Sequence, residues 1–134
     1  MDFPSSYGTM NNTEIYNLLS KELGTSNVLI SDMQLNLTTT NDALRFVQET
    51  QVAKHKYIAE GHDCDNFSFE LMGYWSDGLK SFAFGIAWSQ DHAFNIMIDS
   101  TKKVWIVEPQ TNQFIDIPTA KSAGHYFPIE IVMI

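Results

Sequence analysis

Residues 85–98, GIAWSQDHAFNIMI, are two apolar runs rich in β-branched and aromatic residues on either side of the turn material SQD. That composition predicts two strands and a tight connection. The pattern recurs around it in SFAFGIAW (81–88), HAFNIMID (92–99), KVWIVEP (103–109) and HYFPIEIVMI (125–134), with DSTKK and QTNQ as further turns. The chain after Gly78 therefore predicts a largely antiparallel sheet.

The half before it is helical in character. NNTEIYNLLSKELG (11–24) places Ile15, Leu18, Leu19 and Leu23 on one face, with Asn12 or Thr13 to cap the start and Gly24 to end it. TSNVLISDMQLNLTTT (25–40) is irregular or a short strand, and TNDALRFVQETQVAKHKYIAE (40–60) resumes helical spacing through Leu44, Val47 and Val52. At the junction, DCDNFSFELMGYW (63–75) offers Phe67, Leu71 and Trp75 at spacings of four, with Phe69 and Met72 widening the stripe. It predicts a buried helix capped by Asp63. Helices first and strands second give an α+β class, N-terminal helices and a central cysteine-bearing helix packed against one face of the sheet.

At 134 residues, with 44% apolar and 13% aromatic side chains, the chain predicts one globular domain spanning 1–134. Its single cysteine forms no internal disulfide and suits a reducing compartment. Eight basic residues against sixteen acidic ones give a net charge of −8, which repels phosphate backbones and anionic membranes, so neither nucleic acid nor a membrane is an expected partner. The basic spot KHK (54–56) reads as a solvated helix end. The start, MDFPSSYGTM, lacks a basic segment followed by an apolar run, and no stretch approaches the roughly 20 apolar residues of a membrane span. A cytoplasmic location is the expectation.

Cys64 falls in the first turn of the junction helix. There the helix dipole and free backbone N–H groups favour a thiolate and can hold an oxyanion, while the carboxylates of Asp63 and Asp65 oppose the negative charge. An active thiolate at this place needs a cationic partner. Of four histidines, His92 opens a strand at whose mouth a polar residue needs a reason, with Phe94, Ile96 and Ile98 continuing its face. Glu108 ends VWIV on the face of Val104 and Ile106, where a neighbouring strand lets it orient the imidazole, and Gln110 offers a further donor. Tyr57, Trp75 and Trp88 are candidates to line a cleft or to fill the core.

YIAEGHDCDNFSFEL, GIAWSQDHAFNIMI and VWIVEPQT, over residues 57–113, together resemble the papain-like and transglutaminase-like cysteine peptidase family that includes the protease domain of the Marasmius agglutinin and short bacterial and phage proteins, with the pattern D-C-D-x-F, H-A-F-N and E-P-Q. The resemblance implies a papain-like fold and a cysteine peptidase acting by acyl transfer on peptide or isopeptide bonds. It implies Cys64 as nucleophile, His92 as general base, Glu108 as orienting acid and Gln110 as support, with a protein or peptide as substrate. It also implies Ca2+ or a similar cation on carboxylates beside the cysteine, here Asp65 and Asp63, although the second acid of the pattern is Asn66. For a phage-encoded chain the expected location is the cytoplasm of a bacterial host. The alternative from another class is a non-catalytic interaction protein on the same scaffold, such as a phage-encoded inhibitor of a host protein.

Overall fold

A computed structural model describes residues 1–134. In chain order the elements are β1 (Thr9–Asn11), α1 (Asn12–Leu23), β2 (Val28–Leu29), β3 (Gln34–Asn36), α2 (Thr40–Thr50), α3 (Cys64–Ser76), β4 (Phe84–Ser89), β5 (Ala93–Ile98), β6 (Val104–Glu108), β7 (Gln113–Asp116), α4 (Ile117–Ser122) and β8 (Ile129–Met133). Six strands form one sheet in the order β2-β8-β4-β5-β6-β7, antiparallel except for the parallel pair β2 and β8, and β1 pairs with β3 in a separate ribbon. No helix is long and apolar enough to cross a membrane.

The expected α+β arrangement, helices gathered against one face of a papain-like sheet, is corrected. Eight strands outnumber four α-helices, three of the strands lie in the half expected to be helical, and helices cover both faces. On one face Ile15, Leu19 and Leu23 of α1 and Ile117 and Ala120 of α4 pack with Ala87, Phe94, Ile96 and Ile106. On the other, Phe46 and Val47 of α2 and Phe67, Leu71 and Trp75 of α3 pack with Phe84, Met97 and Val107. The reason lies in β5, whose six residues are all buried: a central strand apolar on both sides needs cover on both sides.

Local chemistry explains where the helices begin and end. Asn11, rather than Asn12 or Thr13, caps α1, because Glu14 lies three residues on: the Glu14 N–H donates to Asn11 Oδ1 at 2.8 Å and the Asn11 N–H to Glu14 Oε1 at 3.3 Å. Gly24 ends α1 at φ 69°, a left-handed conformation that glycine takes without strain. The second helix stops at Thr50, short of the apolar spacing that runs on to Val52. Gln51 turns left-handed at φ 60°, and one 3₁₀ turn, Val52–Lys54, leads into an exposed segment.

At Gly85 on β4 the chain passes close against β8. A Cβ there would run into the Met133 carbonyl oxygen and lie 2.9 Å from Ile134 Cα. Gly85→Ala is expected to cost about 3 kcal/mol, as overpacking against backbone does. Denaturant unfolding measures this, and an unchanged midpoint would mean that β8 yields freely.

Candidate functional site

Asp63 caps α3 as its sequence position predicts, with extended backbone at φ −107°. Asn66 completes a capping box, its side-chain oxygen accepting the Asp63 N–H at 3.2 Å. This gives the residue that departs from the acidic pattern a structural task. Cys64 is then the first residue of a thirteen-residue helix, half-buried, and its Sγ accepts the backbone N–H of Ala93 at 3.4 Å. That bond sets the thiol beside the residue that follows His92.

Two internal ties fix this placement. The Asn95 side-chain amide, fully buried on β5, donates to the Ser68 carbonyl of α3 at 3.1 Å and to the Gly85 carbonyl of β4 at 3.0 Å. The Ser68 hydroxyl in turn donates to the Cys64 carbonyl at 2.9 Å. Asn95 is the last residue of the H-A-F-N motif, so that motif carries a helix-to-sheet joint as well as a histidine.

His92 lies just before β5, its ring stacked on Phe94 at 5.7 Å, and its Nε2 lies 2.7 Å from Glu108 Oε1 at the end of β6. The neighbouring strands β5 and β6 bring these two side chains together. Glu108 is 6% exposed, and three donors converge on it: the His92 ring, the Tyr126 hydroxyl at 3.0 Å on Oε1 and the Gln110 backbone N–H at 3.2 Å on Oε2. Such donors compensate a buried carboxylate for lost water. Gln110 thus contributes through its main chain. With Nε2 engaged by Glu108, Nδ1 is the His92 nitrogen left for other partners.

Tyr126 and His125 escape sequence reasoning. The His125 ring meets His92 edge-on at 5.1 Å, and the Ser89 hydroxyl holds the His125 carbonyl at 2.6 Å. The one available signal was the pairing of a histidine with an aromatic immediately ahead of the last apolar run. Among the aromatic candidates, Trp75 is core, Tyr57 is exposed and stacks on Phe67 at 6.5 Å, and Trp88 packs against the exposed Phe69 at 5.8 Å. A separate hollow lined by Asp32, Met72, Trp75, Lys80 and Phe82 sits toward the other end of α3, away from the thiol.

Asp63 and Asp65 are brought together. Hydrogen bonding between their carboxyls lowers the Asp63 pKa and raises that of Asp65. Asp63 Oδ1 is shut off from solvent without a partner. A hard cation fits an acid pair with one orphaned oxygen.

No family model matches this chain, and no curated protein matches it. Solved structures do. The PSL1a–E64 complex superimposes with a TM-score of 0.76 at 14% identity, over 94% of this chain and 51% of that one. Polyporus squamosus lectin bound to the human-type influenza-binding epitope Neu5Aca2-6Galb1-4GlcNAc superimposes with a TM-score of 0.76 at 15% identity, over 94% and 49%. The chain spans about half the length of the lectin chains it matches, and at these identities the likeness describes the fold. It corrects the sequence-based expectations: the structures sharing this fold are named for a lectin, and the papain-like peptidase family, hydrolytic acyl transfer and a protein or peptide substrate give way to that likeness. The alternative of a phage-type inhibitor gives way with them.

Tyr126 supplies a pH test. Burial first, then the Glu108 charge, holds its phenol well above the ordinary value of 10.0. A pKa raised in the folded state contributes stability that is complete below about pH 10 and lost as pH climbs toward the folded value. Tyrosinate absorbance is expected to show a late fraction ionising with alkaline unfolding and missing in Tyr126→Phe. A late fraction that persists in that variant would place the effect on another tyrosine.

Proposed function

We propose that residues 1–134 form a single ligand-binding domain whose site is the thiol–imidazole–carboxylate cluster of Cys64, His92 and Glu108, with Gln110, Tyr126 and His125 supporting it. One observation carries the reading: the Cys64 sulfur is hydrogen-bonded to the residue following a histidine that is itself held 2.7 Å from a buried carboxylate. The ligand class is a small molecule with an electrophilic carbon, bound by stoichiometric attack of the sulfur. A structure of the same fold in complex with E64 supports this reading. Alkylation with iodoacetamide at slightly acid pH tests it: the S–C bond forms, iodide leaves, and the rate follows the thiolate fraction. His92→Ala is expected to slow alkylation at least about tenfold, and E64 is expected to add once to the wild type and not to Cys64→Ser. Equal rates in the wild type and His92→Ala would remove the proposal.

Asp63 and Asp65 hold a hard dication such as Ca2+ in this reading. When bound it supplies positive charge that offsets the two acids beside the thiolate. Asp63 also orders the helix start as its cap. Calorimetry is expected to show Ca2+ binding that Asp65→Asn weakens; absence of heat with the wild type would dispose of the cation.

A second reading, binding of a sialylated glycan, is favoured by the structure of the same fold bound to Neu5Aca2-6Galb1-4GlcNAc. Titration of this trisaccharide into the chain separates the two. Saturable binding that survives Cys64→Ser and His92→Ala would carry the glycan reading and leave the thiol outside it.

A further inference from the structure

Apart from the thiol cluster, three ligating side chains converge on the outer side of α3. His55 follows the 3₁₀ turn, His62 precedes α3, and Glu70 stands on α3 itself. One ligand atom from each lies within 4.8 Å of the others. His55 Nδ1 and Glu70 Oε1 approach to 2.7 Å, yet Glu70 Oε1 has no hydrogen-bond partner, because the contact lies outside hydrogen-bonding angles. His62 Nε2 is likewise shut off from solvent without a partner. An imidazole nitrogen and a carboxylate oxygen left unpaired within one small space are an expensive arrangement unless something joins them.

The geometry points to a divalent transition-metal site of the zinc class, held by His55, His62 and Glu70. Two imidazoles and one carboxylate form a borderline donor set that suits Zn2+ and excludes Ca2+, which takes oxygen. Metal–ligand bonds near 2.0–2.1 Å at tetrahedral angles separate ligand atoms by about 3.3 Å. The His55–Glu70 contact of 2.7 Å therefore opens slightly.

The supports differ in stiffness in a way that suits capture. The His62 ring packs edge-on against the buried Phe67 at 4.6 Å, and its backbone exchanges two hydrogen bonds of 2.8 Å with Ile58. Glu70 is carried by the helix. His55 is the most exposed of the three, its side chain half-exposed on an exposed segment.

The second histidine and glutamate group, His92, Glu108 and His125, is the built-in control. There Glu108 Oε1 already accepts from His92 and Tyr126, so its oxygen is satisfied without metal.

Calorimetric titration of ZnCl2 into the intact chain decides the matter. One zinc per chain is expected, with affinity at least about tenfold weaker in both His55→Ala and Glu70→Gln and unchanged in His125→Ala. Zinc is also expected to raise the thermal midpoint of the wild type and not of His55→Ala. Because His55 is half-exposed, this variant leaves the core untouched, and its far-UV circular dichroism verifies folding. No binding by the wild type, binding that survives both site variants, or binding lost in His125→Ala would each overturn the assignment.

Discussion

The buried amide of Asn95 joins the layers of this protein. A side-chain amide has two donor hydrogens, and here one goes to the helix at Ser68 and the other to the neighbouring strand at Gly85. Buried polar groups are costly unless paired, and paired ones are specific in a way that apolar packing is not. Phe67, Leu71 and Trp75 supply the apolar packing of the helix on the sheet, and the amide adds directional bonds to it. The placement of the thiol follows, since Cys64 begins the helix so pinned and its sulfur meets Ala93 two residues before Asn95 on the same strand.

Glu108 carries the complementary burden on the opposite face. It is a carboxylate at the end of an apolar strand, and Pro109 denies the following position a backbone donor. Three donors reach it nevertheless, from β5, from the turn after β6 and from the segment before β8. The Tyr126 contact draws the approach to the last strand into the site, and Ser89 reinforces it by holding the His125 carbonyl. The chain from β4 to β8 is thereby gathered around one negative charge.

The elements that local chemistry determines were legible in the sequence: α1 with its glycine stop, α3 with its aspartate cap, and the strands β4, β5 and β6 with His92 and Glu108 at their ends. What stayed hidden depends on distant partners. β7, QFID, is a short edge strand that exists through pairing with β6, and β2 is two residues that pair in parallel with β8 a hundred positions later. Tyr126 has only a weak local signature, a histidine beside an aromatic, because its task is set by a carboxylate eighteen residues away. The two-sided cover of the sheet was recoverable, since AFNIMI (93–98) is an unbroken apolar run apart from Asn95, where a one-sided strand alternates. H-A-F-N and E-P-Q located a histidine and a carboxylate that lie 2.7 Å apart, and D-C-D a sulfur that accepts the Ala93 N–H; the family attached to them is what the lectin likeness corrects.

Strand alternation sends His92 and Phe94 to one face and Ala93 and Asn95 to the other. The imidazole and its carboxylate therefore belong to the layer built on α1 and α4, whereas the sulfur belongs to the layer built on α2 and α3. The two halves of the cluster rest on different hydrophobic cores, on opposite faces of a shared strand. A loosening of either core moves one half against the other, so the position of the sulfur relative to the imidazole depends on packing on both sides of the sheet.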